Sequence, residues 1–385
     1  MHLLQVCNVG QIVGGTAACA WSITRAFPDA KHSVAFLSRV DEVTRHAFQP
    51  HPTHQWSHCT TKAIQQINPD LVILHNVSSE NASLWNGAFT IQYVHSTGRR
   101  LAADQTIYCS RWLAEQCRAD PQSVVWQGVP LPLPPAATRG KVSERLRIGR
   151  ICTPSARKWT DSLPAFYSLL ATQHPHVDWD FVGCPPAMQP ALLSACLGRA
   201  TFLPAGWLAR SHVWEWDALL YHHPTLTESF GRTVAEAART GCIPIVDARG
   251  GFIEQLDVIG GRSCRTTLDF SNAITDIAKP ELRLRLSKSA QQRANRHFSL
   301  SAFRERLQSL VRNFGLERNQ LPELNRRSQR QPRVSSPDSL LTLLPTVQNS
   351  ESGCCSGPVP EPAAGVSERS SVPSGPTGRD YDRTH

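Results

Sequence analysis

The chain of 385 residues lacks any apolar run near the roughly 18 residues of a membrane-spanning helix, which argues against an integral membrane protein. No CxxC pair occurs, so a zinc site is not expected. The 12 cysteines are only about 3% of the chain, too sparse for a disulfide scaffold. Cys7, Cys109, Cys152, Cys184 and Cys242 fall in or beside apolar runs, where cysteine behaves as a small buried hydrophobe. The first residues carry no basic stretch followed by a hydrophobic segment, so no secretory signal is read and reduced, cytoplasmic thiols are expected. Aromatic residues are nearly missing from residue 316 onward, where Tyr381 stands alone among 9 Pro, 11 Ser and 5 Gly. Such a segment cannot bury enough surface to offset its ordering entropy, and a disordered tail over 316–385 is expected. Within it, Leu340 to Leu344 is a short apolar patch, read as incidental or as a docking segment.

What is present suits a globular protein: 41% hydrophobic and 18% charged residues. At about 150 residues per domain, the length predicts two domains and a remainder. The net charge is +9, and the tail holds eight Arg against eight Asp or Glu, so the surplus lies in residues 1–315. Such a field favours nucleotide phosphates, an acidic membrane surface or nucleic acid. No recognition motif or aromatic-basic repeat supports nucleic acid.

Short two-faced apolar runs alternate with helical patterns. Strands are predicted near 3–9, 33–37, 71–74, 90–94 and 105–108, with helices over 16–27, 61–67 and 111–118. Between Val125 and Val142, Gly128, Pro130, Pro132, Pro134, Pro135 and Gly140 interrupt any regular element and mark a linker. The pattern then restarts, with strands near 146–152, 178–183, 200–203 and 243–246 and helical stretches continuing to about Phe314. The reading is a parallel α/β protein with domains at 1–135 and 136–315 and the tail at 316–385.

Several clusters could carry chemistry. The stretch TESFGRTVAEAARTGCIPIV separates Glu228 and Glu236 by seven residues, one in a loop and one in the second turn of a predicted helix. Phe230 and Gly231 would offer free backbone N–H groups at that helix start, with Ser229 or the loop backbone as cap. The plainer reading is a surface helix. Arg150, at the end of the first strand of the second half, and Lys158 could grip a diphosphate as a planar fork and a point charge, or belong to a solvated basic loop. Gly14 and Gly15 follow the first strand in a loop without the Walker A lysine, which excludes that ATPase motif but leaves a phosphate contact or a bare tight turn. His95 stands where a strand gives way to a loop, a position also common for structural histidines. Asp178-Trp-Asp180 matches the DxD pattern of metal-dependent sugar transfer but reads better as the start of a buried strand.

Together these residues resemble the retaining GT-B glycosyltransferases of the "glycosyl transferases group 1" set, family GT4. The resemblance rests on the E-x7-E block at Glu228 and Glu236. It is supported by GRICTPSARKW, FVG at 181–183, VHST at 94–97, YCSRWLAEQ at 108–116, GGFIEQL at 250–256 and the glycine loop. It spans about residues 1–312 and implies two Rossmann-like parallel-sheet domains facing a cleft, the first on the acceptor side and the second on the nucleotide-sugar donor side. Arg150 and Lys158 would bind the donor diphosphate, Glu228 the sugar hydroxyls and Glu236 the ribose diol. Phe230 and Gly231 would donate backbone N–H groups, Gly15 would lie near phosphates or acceptor, and His95 beside the transferred sugar.

The implied activity is a metal-independent hexosyltransferase with a nucleoside-diphosphate sugar as donor substrate and no cofactor. Its acceptor would be a glycan or lipid-linked molecule, as in polysaccharide biosynthesis, with peripheral contact at an anionic membrane face as a further expectation. A nucleotide-sugar epimerase or hydrolase, or a non-catalytic nucleotide-sugar-binding protein, stays open on the same scaffold. The chain departs from the family in a trimmed 38–68 region and in Gln127, where Asn is expected before Gly-Val.

Overall fold

The computed structural model describes residues 1–135 and 145–313; the expectations for the tail, including Leu340 to Leu344, lie outside the described residues. Among the described residues, twelve strands form two six-stranded sheets. The first contains β1 (His2–Cys7), β2 (Lys31–Phe36), β3 (Thr53–Gln55), β4 (Leu71–His75), β5 (Phe89–Val94) and β6 (Gln105–Tyr108). The second contains β7 (Leu146–Ile151), β8 (Val177–Val182), β9 (Ala200–Leu203), β10 (Ala218–Tyr221), β11 (Ile243–Asp247) and β12 (Arg262–Cys264). The orders are β3-β2-β1-β4-β5-β6 and β12-β11-β10-β7-β8-β9, with parallel neighbours throughout. In both, the chain starts at a central strand, builds outward and then reverses, which opens a crevice at the carboxyl ends of the central strands.

The helices cover both sheet faces: α1 (Gly15–Ala26), α2 (Glu42–Ala47), α3 (Thr61–Ile67) and α4 (Arg111–Gln116) in the first half. In the second half come α5 (Leu163–Gln173), α6 (Gln189–Ala195), α7 (Arg232–Thr240), α8 (Gly251–Ile259), α9 (Thr267–Ala278), α10 (Pro280–Phe298) and α11 (Leu300–Asn313). Strand β4 is buried along its whole length, which is why LVILH is apolar on both faces. The expected α/β architecture of paired parallel sheets is what the chain forms. The 38–68 region, read only as trimmed beyond one helix, also holds α2 and the edge strand β3. Asp41 caps α2 by accepting from Thr44 N at 2.7 Å.

Contacts between the halves hold the crevice walls together. Although it follows the second sheet in sequence, α11 packs on α1, with Arg304 3.6 Å from Asp29 and Arg306 donating to the Trp126 carbonyl at 2.9 Å. The chain passes so close to α11 at Gly128 that a Cβ there would lie 2.5 Å from Phe303 Cβ, so only glycine fits. Glu254 of α8 accepts from the backbone N–H of Arg111 at 3.0 Å, at the start of α4, and from Trp126 Nε1 at 2.7 Å. A carboxylate from one half thus caps a helix of the other.

Candidate active site

The carboxyl ends of β1, β4, β5, β7, β8 and β10 converge on a cavity of about 480 Å3. Gly14, Gly15, Asn76, His95 and Gln127 line it from the first half, and Arg157, Lys158, Arg210, Glu228 and Phe230 to Thr233 from the second. Four cations therefore face one carboxylate. Two helix N-termini add partial positive charge: α1, which starts at Gly15, and α7, which starts at Arg232. First-turn N–H groups have no acceptor within their own helix, so this wall is built to receive an anion.

Lys158 and Glu228 meet at the centre of the second-half wall. Lys158 Nζ donates to Glu228 Oε1 at 2.6 Å, and the Tyr221 hydroxyl donates to the same oxygen at 2.9 Å. Burial alone would raise the Glu228 pKa, but the Lys158 charge and the two hydrogen bonds outweigh it and hold the carboxyl below its ordinary value. Burial pushes the Tyr221 hydroxyl far up, so it stays a donor. Gly231 caps α7 at φ +84° without a side-chain cap, so Ser229 does not act as one. A Cβ at Gly231 would fall 2.2 Å from Phe252 Cε1, which adds close packing to the left-handed backbone as a reason for glycine.

The structure places two of the expected site residues, Arg150 and Glu236, off the cavity lining. Arg150 does not line the cavity: its side chain is 1% exposed, and it donates from Nη1 to the His222 carbonyl and from Nη2 to the Lys158 carbonyl, both at 2.8 Å. Tyr221 and Trp159 stack on the guanidinium, with centroids at 4.8 and 5.0 Å. Arg150 therefore holds the loop that presents Lys158, and the second cation at the wall is Arg157, which the sequence reading passed over. Glu236 sits in the second turn of α7 as expected, but its carboxylate is 2% exposed and paired with Arg210 at 3.1 Å and Arg232 at 3.6 Å. It lies behind Arg210, which occupies the wall instead. The Asp178-Trp-Asp180 carboxylates pair with Arg145 at 2.9 Å and Arg147 at 3.3 Å, away from the cavity, as a structural reading requires.

His95 does reach the cavity. Its Nε2 lies 3.0 Å from His75 Nδ1 and its Nδ1 lies 3.0 Å from Gln127 Nε2. Cys19, His75 and His95 bring possible metal-ligand atoms within 4.8 Å of one another. The donor set does not fit a metal: the ring nitrogens already bond each other and two glutamines, and burial pushes the Cys19 thiol up to about 12. Burial also lowers His75 to about 3, His32 to about 4, and His95 well below its ordinary value. Because the folded protein keeps these rings neutral while unfolded histidine protonates near 6.5, their stability contribution is full above that pH and is lost as pH falls toward 4. The melting temperature should fall by several degrees from pH 7 to pH 5, and an unchanged value would contradict the neutral-ring assignment.

No protein-family model and no curated protein sequence matches the chain significantly. Solved structures do. HepE of Anabaena, solved with UDP-glucose, superposes with a TM-score of 0.62 at 15% identity, over 81% of this chain and 100% of that one. The fold is GT-B. A glycosyltransferase of Rickettsia africae gives a TM-score of 0.65 at 12% identity over 82% and 99% of the two chains. Sucrose-phosphate synthase of Thermosynechococcus elongatus gives 0.61 at 14% identity over the same shares. The cavity lies in the crevice between the two GT-B sheets.

Proposed function

We propose that this GT-B protein is a retaining glycosyltransferase of the GT4 type that takes a sugar from a nucleoside diphosphate and passes it to a glycan or lipid-linked acceptor. The observation that carries this reading is the cavity wall, where the Lys158–Glu228 pair, Arg157 and the N-terminus of α7 face the glycine turn that opens α1. A departing diphosphate needs fixed positive charge where its own charge grows, and lysine, arginine and helix N–H groups in a half-closed crevice supply it. These charges take the place of a divalent cation in the proposed reaction, and turnover sustained in excess EDTA checks this. Glu228, kept ionised, accepts hydrogen bonds from sugar hydroxyls. Among the described residues Glu228 is the carboxylate that lines the crevice, and Lys158 and Tyr221 both bond its Oε1, which in this reading makes it a hydroxyl acceptor and not a nucleophile. Attack by the acceptor from the face that the nucleotide leaves accounts for retention without a covalent sugar–enzyme intermediate.

The relative solved with UDP-glucose puts uridine nucleotides first in a test panel. Calorimetry or thermal shift against UDP-, GDP- and ADP-sugars should give binding to one base class, and that donor should support transfer. Absence of binding across the panel would remove the reading. A lipid-linked acceptor would bring the cationic chain to an anionic membrane face; among the described residues no helix is long and apolar enough to cross one.

A further inference from the structure

Five side chains form one hydrogen-bonded line along the floor of the crevice: Arg232, Gln127, His95, His75 and Gln5. Arg232 Nη1 donates to Gln127 Oε1 at 3.0 Å. Gln127 Nε2 lies 3.0 Å from His95 Nδ1, His95 Nε2 lies 3.0 Å from His75 Nδ1, and His75 Nε2 lies 3.1 Å from Gln5 Oε1. None of the five is more than 9% exposed. Arg232 comes from the second half and the other four from the first, so the line crosses the crevice.

We propose that Gln127 is a positioning residue that sets the tautomer of His95, with Arg232 deciding which way the glutamine amide faces. An arginine can only donate, so Gln127 must turn its oxygen to Arg232 and its NH2 to His95. His95 Nδ1 is then an acceptor, and a neutral ring carries its proton on Nε2. That proton points at His75 Nδ1, which forces the second ring into the same tautomer with Nε2–H on Gln5. Each link leaves one choice for the next. Both nitrogens of His95 are thereby engaged inside the protein, and the ring borders the cavity as a neutral, fixed group that neither gives nor takes a proton. Arg232 also bonds Ser22 Oγ of α1 at 3.0 Å, so the cation that orients Gln127 is pinned to the opposite half.

The functional part of this inference rests on the proposed transferase reading; the tautomer part does not. Long-range 1H–15N correlation spectra of histidine-labelled full-length protein read the protonated nitrogen directly, with His95→Gln and His75→Gln variants for assignment. Both rings are expected as Nε2–H and unchanged between pH 5.5 and 8. An Nδ1–H ring at His95, or titration near 6.5, overturns the proposal whether or not a nucleotide sugar binds.

In Gln127→Glu the carboxylate can only accept, so His95 must present Nδ1–H, either by reversing the line or by taking a second proton. The expected spectrum is a shift of the His95 proton to Nδ1. With a verified donor, Gln127→Glu should lower kcat about tenfold or more, leave the donor KM within threefold, and add a pH-dependent limb to kcat. Gln127→Leu should lower kcat without adding that limb. An unchanged His95 tautomer in Gln127→Glu would show that Gln127 does not set it. A pH profile identical to wild type alongside a shifted tautomer would separate His95 from turnover.

Discussion

Replacing Lys158 with alanine should lower turnover by roughly 10²–10³-fold while leaving the protein folded, the loss typical of removing one preorganised charge from a developing anion. Lys158 and Glu228 are each about one-fifth exposed at the side chain, so their 2.6 Å pair is partly solvated and contributes about 1 kcal/mol or less to stability. In the proposed reaction the same ammonium would matter more, because closure of the crevice would exclude water and the leaving phosphate would gather charge beside it. Arginine at 158 would keep the charge but spread it over a planar fork, so partial recovery is expected. The check is kcat, donor Kd and melting temperature measured together on purified Lys158→Ala. Turnover within threefold of wild type would take Lys158 out of the reaction, and a large fall in melting temperature would make it a structural residue.

How much of this was legible depended on the range of the interaction. Strands such as β4 and β5 announce themselves because both faces are buried, and helix α3 was readable from its turn signal at Asn68. The edge strands β3 and β12, three residues each, carry little pattern because a short, half-exposed strand has almost no apolar requirement. The loop-and-helix placement of Glu228 and Glu236 followed from local spacing. What Glu236 touches did not, since Arg210 approaches it from a separate segment. Arg232 bonds Gln127 across 105 positions and Ser22 across 210, and no local periodicity encodes such a contact. Glu254 reads as an ordinary helix acid until α4 and Trp126 are brought to it.

Arg150 shows the same limit and yields a second large effect. Arg150→Ala should destabilise the protein by about 4 kcal/mol, because two charge-assisted bonds from a buried guanidinium to the part-buried His222 and Lys158 carbonyls disappear. Loss of the stacked guanidinium between Tyr221 and Trp159 leaves a hole that the neighbouring rings cannot close. In a protein of this size the melting temperature should drop by on the order of 10 °C. Arg150→Lys should recover little, since one ammonium cannot span the His222 and Lys158 carbonyls as the fork does. Turnover should fall too, even well below the melting range, because the Lys158 carbonyl is released and the ammonium loses its fixed approach to the cavity. A residue gripping the diphosphate directly would behave differently: its alanine variant would melt with the wild type and lose donor affinity. That outcome would return Arg150 to the cavity wall, whereas joint loss of stability and turnover, with donor Kd weakened only modestly, identifies it as the support beneath Lys158.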